Sequence, residues 1–408
     1  MRFPALKQAL APLAAGLVLF SLPLSGCSGP SKQSSEFKNE ASARLDALKA
    51  GTEWELARQR YESGDFQQAL QGVDRSLALN PQVAKSHTLK GRILVEMGQT
   101  QAAMESLARA IALDPEHAEA YFYRGLIFER IARFEEAYQE YSKALEANPE
   151  KAQYVMAAAE MLIRMERLDE AEALLVSSSD RHEFTAGIRQ TLGHIAMMRH
   201  RPQDAVEYFS EAQVLSPDDM SILEDLALSE IEAGHFAEAE AHLQDVIEHQ
   251  PDDQPQRRDL LHLLARCQME QDDLIDARQT LINLTRGREG AADALAWTSL
   301  GTIAMRYNDT DHLHDAGERL IRLRPRRYEG YYFYAMWEHS QGFSERALKT
   351  VSSAVALESD DAMPLVLKAI ILSEMGRDAD AAVEARQALA LEPSNPEIQA
   401  LARQLGVP

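Results

Sequence analysis

Prolines recur in this chain at a spacing of 34 residues. Pro81, Pro115 and Pro149 are 34 residues apart, and Pro217 and Pro251 continue the same count. Because proline lacks an amide hydrogen and clashes with the preceding helical turn, each of these residues ends a helix. A sustained period of about 34 residues is typical of helix–turn–helix units that stack into a solenoid. The spacing therefore predicts an all-α chain built from one repeated pair of helices.

The clearest copy of the repeat is the segment 118–151. Gly125, Ala137 and Ala144 are small residues at the places where its two helices must approach closely. The segment is similar to the tetratricopeptide repeat, whose pattern is W-x2-L-G-x2-Y, then A-x3-F, then P. The matching positions are Tyr121, Arg124, Gly125, Phe128, Ala137, Tyr141 and Pro149. Two further copies carry Gly91, Leu94, Ala103, Leu107, Ala110 and Pro115, and Leu192, Gly193, Ala196, Ala205, Phe209, Ala212 and Pro217.

The resemblance to tetratricopeptide repeats extends over residues 50–395 and implies a right-handed superhelix of about ten repeats. Residues 40–253 are predicted to form an N-terminal block of about six repeats with a leading helix. Residues 254–293 form an irregular seventh repeat and a joint, and residues 294–408 form a C-terminal block with a capping helix. The joint is either a hinge or a pair of tolerated insertions. The second is favoured because longer loops cost little free energy.

Residues 1–26 have the features of an export signal. Arg2 and Lys7 accompany an apolar stretch, residues 9–22, which is too short to span a bilayer. The following sequence LSGC ends at Cys27 and resembles a bacterial lipobox. That resemblance implies cleavage before Cys27 and lipidation of this cysteine, including palmitate as an acyl chain. The alternative is an ordinary signal peptide with an incidental cysteine.

The residues after Cys27 indicate which membrane would carry the lipoprotein and how it would be tethered. Ser28, rather than aspartate, implies transfer of such a lipoprotein to the outer membrane, on its periplasmic side. Several acyl chains on one cysteine give a stable membrane anchor. Residues 27–39 are polar and serine-rich and lack apolar periodicity, so they are predicted to form a flexible tether.

Charge and motif content exclude several functions. The formal net charge of −22 disfavours general nucleic-acid binding, which needs basic residues to neutralise phosphates. The sequence contains no HExxH, GxSxG, GxxxxGK or GxGxxG motif. His312 and His314 are the only tight histidine group, and a solvated helix surface explains them better than a metal site. We therefore expect no catalytic residue, cofactor or metal ion, and we expect Cys267 to be a small buried hydrophobe.

Acidic pairs mark the ends of the predicted repeats. Examples are Asp218-Asp219, Asp272-Asp273 and Asp360-Asp361. Aspartate favours turns and the first position of helices, so these pairs are expected to cap helices rather than to bind calcium.

The resemblance implies that partners bind in the concave groove, which the first helix of each repeat lines. The implied groove residues are Trp54, Arg58, Tyr61, Arg92, Phe122, Leu126, Arg130, Met156, Arg164, His194, Met197 and Met198. Arginine pairs with carboxylates, aromatic residues act as anchors and methionine adapts its shape, so such a lining suits a peptide. The alternative is that several of these residues simply pack between the first helices of adjacent repeats.

A second candidate surface is the basic and aromatic stretch 322–337. Its predicted binding residues are Arg322, Arg324, Arg326, Arg327, Tyr331 and Tyr332. Such a cluster could bind an anionic polymer, a lipid headgroup or an acidic partner. The alternative is that the arginines interact with helix-end carbonyls while the aromatic residues are buried between repeats.

Together these features predict a non-catalytic scaffold or adaptor for proteins, anchored through Cys27 in the outer membrane. Lipoproteins with similar repeats assist assembly of pili, secretins or polysaccharide exporters, or deliver substrates to periplasmic proteases. The alternative function is a glycan- or peptidoglycan-binding module that uses the stretch 322–337. Self-association is a further open property, because the ends of solenoids often pair.

Overall fold

A computed structural model describes residues 32–251, 255–357 and 360–407. Within these residues the chain consists of helices and the turns between them, and no strand occurs among them. They belong to two compact units, unit 1 (Met1–Arg133) and unit 2 (Phe134–Pro408). The predictions for the export signal and for Cys27 lie outside the described residues.

Each unit is a succession of short helices in which neighbours along the chain pack together. In unit 1 they are α1 (Lys32–Glu62), α2 (Phe66–Leu79), α3 (Ala84–Glu96), α4 (Thr100–Leu113) and α5 (Ala118–Arg130). In unit 2 they are α6 (Phe134–Ala147), α7 (Ala152–Arg164), α8 (Leu168–Ser178), α9 (Ala186–Met198), α10 (Pro202–Leu215), α11 (Met220–Ala233), α12 (Phe236–Glu248), α13 (Arg258–Glu270), α14 (Leu274–Leu284), α15 (Gly287–Gly290), α16 (Ala294–Tyr307), α17 (Thr310–Leu323), α18 (Tyr328–Ser340), α19 (Ser344–Val355), α20 (Met363–Glu374), α21 (Asp378–Leu391) and α22 (Pro396–Gln404).

The helix starts follow the period of the sequence. Ala84, Ala118, Ala152, Ala186 and Met220 are 34 residues apart, and each is the first residue of its helix. The predicted all-α fold of repeated helix pairs is therefore confirmed.

Glycines allow the two helices of a pair to approach closely. A β-carbon added at Gly91 would lie 2.6 Å from Leu107 Cγ, and one at Gly193 would lie 2.6 Å from Phe209 Cε1. Both contacts join the first helix of a repeat to the second helix of the same repeat. The small residue at this place leaves room for the large side chain opposite, which is then fully buried.

Aspartates at the turns cap the helices, as expected. The Asp219 carboxylate accepts a hydrogen bond from the Ser221 amide at 3.0 Å, and Asp273 accepts one from the Asp276 amide at 3.4 Å. Asp361 likewise accepts from the Met363 amide at 2.8 Å. These bonds satisfy amide groups that have no partner inside the helix.

One detail of the domain prediction differs from the structure. Helix α1 begins at Lys32, so residues 32–39 are helical rather than a flexible tether. No proline or glycine interrupts the chain between Lys32 and Ala50, and exposed polar residues such as lysine and glutamate are good helix formers. The border between the two compact units lies at residues 133 and 134.

The predicted joint at 254–293 carries a continuous core. One cluster of buried residues runs from Leu223 in α11 to Ile371 in α20 and includes Leu264 and Leu281 inside this segment. The extra residues are accommodated in the connections on either side of α13 and α14. This continuous core fits tolerated insertions, and the choice between them and a hinge stays a prediction.

Helix α22 lies where the capping helix is expected, and its Ile398 and Ala402 are buried. Among the described helices, none combines the length and the apolar character that crossing a bilayer requires.

Candidate functional site

An arginine stacked between two tyrosines lies at the centre of unit 1. The Arg92 guanidinium carbon is 4.8 Å from the ring centre of Tyr61 and 4.8 Å from that of Tyr123. The three residues come from α1, α3 and α5, the first helices of three successive repeats. An arginine over an aromatic face is attracted by the ring's electrons, which fixes the orientation of the guanidinium.

A second cation, Lys85, lies over another aromatic ring on the same helices. The Lys85 Nζ is 4.3 Å from the ring centre of Trp54, and the indole Nε1 donates to the Lys85 carbonyl at 3.4 Å. We call Trp54, Tyr61, Lys85, Arg92 and Tyr123 the aromatic–cation face of unit 1. Burial raises the pKa of Tyr123 to about 12, so its phenol is neutral at ordinary pH.

The other arginines predicted on these helices are already neutralised. Arg58 pairs with both Glu55 and Glu62 within α1. Arg130 Nη2 lies 3.3 Å from Glu96 Oε1, and its Nη1 donates to the Val95 carbonyl at 3.2 Å. The hydrogen bond from Arg58 lowers the pKa of Glu55, so the pair stays ionised. These arginines are therefore less available to a partner than the sequence suggests.

The two cations of the aromatic–cation face have no such partner. Within the part of unit 1 that the structure describes, no carboxylate oxygen lies within salt-bridge distance of Lys85 or Arg92. The Nε of Arg92 is buried and has no hydrogen-bond acceptor. A positive charge that is held in place and lacks an anion is suited to bind one.

The remaining predicted residues of unit 1 are packing residues. Phe122 is 9% exposed and packs edge-on against Tyr123 with ring centres 5.4 Å apart. Leu126 is half-buried against the core cluster of α3 and α4. Sequence reasoning missed Lys85 and Tyr123. A helical wheel of α3 could have revealed Lys85, because it lies seven residues before Arg92 and therefore on the same side of the helix.

In unit 2 the predicted groove residues have mixed roles. A β-carbon added at Gly187 would lie 2.7 Å from the Met156 methyl, so Met156 packs between α7 and α9. Met197 is partly buried against the core. His194 is about half exposed, with its Nε2 3.2 Å from Asp225. Exposed residues in this set are Met198 and Arg164, whose partner Glu160 is 3.5 Å away.

The stretch 322–337 divides into separate parts. Tyr332 is 6% exposed, and its burial raises its pKa to about 12, so it belongs to the core. Arg322 pairs with Glu318, and Arg327 pairs with Glu329. The exposed arginines Arg324 and Arg326 lie in the turn between α17 and α18, and the Tyr331 hydroxyl donates to the Pro325 carbonyl at 3.2 Å.

The residues considered for metal or thiol chemistry are engaged in packing. His312 Nδ1 lies 2.9 Å from Asp309, whereas the His314 ring packs against Trp337 at 4.5 Å. No group of three or more metal-ligating side chains occurs within the described ranges. Cys267 is fully buried, and burial raises the pKa of its thiol to about 11, so the prediction of a buried hydrophobe is confirmed.

Comparison with known proteins identifies the repeat. Tetratricopeptide-repeat family models match residues 88–152 and residues 196–261. No curated protein matches the chain.

Several solved structures resemble the fold. PilW, a widely conserved type IV pilus biogenesis factor, is 19% identical over 50% of this chain and 95% of its own, with a TM-score of 0.44. Pseudomonas aeruginosa pilF is 20% identical over 62% of this chain and 96% of its own, with a TM-score of 0.36. Naa15/Naa10 bound to HypK-THB is 17% identical over 87% of this chain, with a TM-score of 0.36. The match covers only 65% of the length of that protein. At these values the likeness carries no argument about function.

The two matched segments lie within a succession of helices that runs through the described residues. The chain contains tetratricopeptide repeats in these two segments.

Proposed function

We propose that this protein is a non-catalytic scaffold that holds a segment of a partner protein on the aromatic–cation face of unit 1. One observation carries the proposal. The Arg92 guanidinium is stacked between Tyr61 and Tyr123 and has no carboxylate of its own in the described part of the chain. Tetratricopeptide repeats serve as protein-interaction scaffolds, and the stacked arginine supports a binding role for this surface.

The stacked arginine favours binding because its position is fixed before a partner arrives. Holding a long side chain in one conformation on binding costs free energy. The two tyrosine rings already restrict the Arg92 side chain in the free protein, so less conformational entropy is lost when a partner binds. A carboxylate that reaches the guanidinium can accept two parallel hydrogen bonds. The Trp54 ring, which lies under Lys85, provides further apolar surface on the aromatic–cation face.

The spacing of the two cations indicates the chemistry of the partner. Lys85 and Arg92 are seven residues apart on one helix, which corresponds to about 10 Å along its axis. In a segment with polyproline II conformation, which has three residues per turn, residues three apart lie on the same side and are separated by about 9 Å. The partner segment therefore adopts polyproline II conformation and carries two acidic side chains separated by two other residues.

We predict that Arg92→Ala weakens binding of such a peptide by about tenfold or more, the loss expected for a hydrogen-bonded charge. Lys90→Ala provides a matched control, because Lys90 is on the same helix, carries the same charge and pairs with Asp74 at 2.8 Å. The measurement is fluorescence anisotropy with a labelled peptide of sequence GSDPTDSG, in comparison with its DN-exchanged form GSNPTNSG.

Two results would contradict this function. The first is equal weakening by Arg92→Ala and Lys90→Ala, which indicates non-specific attraction. The second is equal affinity of the acidic and neutral peptides for the unmodified protein. Circular dichroism and the melting temperature of each variant verify that the helices are intact.

The proposed scaffold is anchored to the outer membrane by acyl chains on Cys27 and faces the periplasm. The support comes from the sequence, where LSGC follows an apolar stretch of the length found in export signals. An anchor at this end would place the repeats at the inner surface of that membrane. There the scaffold would assist assembly of a pilus, a secretin or a polysaccharide exporter, or deliver substrates to a protease.

We expect Cys27→Ser to abolish labelling by an alkyne analogue of palmitate and to move the protein out of the membrane fraction. Both effects follow because several acyl chains are needed for stable anchoring. Cys267→Ser is the control, since the Cys267 thiol is fully buried and should not be acylated. Labelling that persists in Cys27→Ser would refute lipidation at this residue.

A further inference from the structure

A cavity of about 340 Å³ lies between α17, α18 and α19 of unit 2. Aromatic residues Tyr331 and Tyr334 line it together with Lys349, Thr350 and Ser353. Its volume falls at the lower end of the range for small-molecule sites, which is about 300–1,000 Å³. None of these residues belongs to the aromatic–cation face of unit 1.

Two glycines next to this cavity allow α17 and α18 to approach closely. A β-carbon on Gly317 would lie 2.7 Å from the Tyr334 backbone nitrogen, and one on Gly330 would lie 2.7 Å from the Ile321 backbone nitrogen. Because the backbones are so close at Gly317, the position of Tyr334 relative to α17 is well defined. The Tyr334 ring is further supported by Trp337, with ring centres 5.1 Å apart.

The charges around the cavity leave a net positive site. Glu338 is 3% exposed, and its carboxylate accepts from Arg346 Nε at 3.0 Å and from the Thr350 hydroxyl at 2.6 Å. The negative charge of Glu338 is thus compensated within the cavity wall. Lys349 is exposed, and no carboxylate lies within salt-bridge distance of it in the described residues.

Three of the four hydroxyl groups of the cavity, all except that of Tyr334, have already donated their hydrogens. The Tyr331 hydroxyl donates to the Pro325 carbonyl at 3.2 Å, the Thr350 hydroxyl to Glu338 and the Ser353 hydroxyl to the Lys349 carbonyl at 3.3 Å. What remains on each oxygen is the capacity to accept a hydrogen bond. A ligand that offers only acceptors, such as sulfate, would leave these oxygens without a partner.

We propose that this cavity binds a carboxylated sugar, as one residue of an acidic oligosaccharide. The hydroxyls of the sugar donate to the oxygens of Tyr331, Thr350 and Ser353, and its carboxylate pairs with Lys349. The C–H face of the sugar ring packs on a tyrosine ring, whose face is electron-rich. The binding site therefore lies mainly on α18 and α19 and not on the exposed arginines of the stretch 322–337.

The test is isothermal titration calorimetry of the full-length chain in detergent, at low ionic strength, with trigalacturonate as the probe. Its methyl ester is the neutral counterpart of the same shape, and triglutamate is an acidic peptide that matches it in side-chain charge. The variants are Lys349→Ala, Lys349→Arg and Ser353→Ala. Arg326→Ala is the matched control, because it removes one exposed charge in the nearby turn that does not line the cavity.

We expect the unmodified protein to bind trigalacturonate about tenfold more tightly than either the methyl ester or triglutamate. Lys349→Ala should bind the acid and the ester equally, and Lys349→Arg should restore the difference. Ser353→Ala should weaken both sugars about threefold, and Arg326→Ala should change neither.

The proposal fails if neither sugar binds, if triglutamate binds as tightly as trigalacturonate, or if Arg326→Ala has the same effect as Lys349→Ala. The second of these results would assign the cavity to acidic peptides instead. Because Lys349 and Ser353 are exposed side chains, their variants are expected to melt at the temperature of the unmodified protein, which makes a loss of binding interpretable.

Discussion

Gly317→Val is expected to lower the free energy of unfolding of unit 2 by about 3 kcal/mol. A β-carbon at Gly317 would lie 2.7 Å from the backbone nitrogen of Tyr334 and 2.9 Å from its α-carbon. Backbone atoms cannot rotate away as the end of a side chain can, so α17 and α18 would have to move apart. This separation would open the core between two repeats that share it.

The measurement is urea denaturation followed by circular dichroism, with hydrogen exchange to locate the change in α17 and α18. Gly51→Ala is the control, because Gly51 lies inside α1 and a β-carbon added there would meet no atom of another helix within 4 Å. Alanine is the better helix former by about 1 kcal/mol, so this control should stabilise the protein. A Gly317→Val variant that unfolds at the same urea concentration as the unmodified protein would contradict the packing argument.

Asp293→Ala is expected to cost about 3 kcal/mol, because it removes the centre of a network that connects two repeats. The Asp293 carboxylate accepts from the Ala296 amide at 3.0 Å, lies 2.8 Å from His262 Nε2 and pairs with Arg258. Arg258 also donates to the Leu284 carbonyl at 2.7 Å. The substitution would leave a half-buried arginine without its carboxylate and would uncap α16.

Asp293→Asn separates the two contributions. Asparagine still caps a helix, so this variant should lose the ion pair but keep the cap, at a cost of about 2 kcal/mol. Urea denaturation of both variants at neutral pH provides the comparison. The network is not important for stability if both variants unfold at the same urea concentration as the unmodified protein.

The contribution of Asp293 should depend on pH. Burial by itself would raise its pKa, but the Ala296 amide, Arg258 and His262 together hold that pKa below its usual value. Because the pKa is lower in the folded state, the stabilisation is present above the unfolded value of about 4 and is lost as the pH falls through the folded pKa. The difference between the unmodified protein and Asp293→Asn should therefore shrink at low pH. A difference that is the same at neutral and acidic pH would exclude the charge as its cause.

The sequence indicates the importance of Gly317 more clearly than that of Asp293. Gly317 is a glycine inside a helical pattern, which often indicates a close approach, although nothing in the sequence says to what. Asp293 falls in a stretch that the repeat spacing identifies as an insertion. Its partners Arg258 and His262 are 35 and 31 residues earlier, at a distance that local patterns do not predict.

In the candidate sites, too, the sequence identified some residues, whereas the tertiary structure decided which of them are available to a partner. Trp54, Arg58, Tyr61 and Arg92 could be identified from the resemblance, because repeated positions share one side of their helices. Which of the arginines remains available was decided by neighbours on adjacent turns and helices, since Arg58 is paired with two glutamates whereas Arg92 is stacked between two rings.

The sequence alone determined the helix pairs, their starts and their small contact residues, because period, proline position and residue size are local properties on which steric exclusion acts directly. The tertiary structure decided which charges are compensated, which aromatic residues are buried and where a cavity forms between α17, α18 and α19. Those properties depend on side chains from different helices meeting within a few ångströms. Such meetings are determined by how the helices pack and not by the order of residues within any one of them.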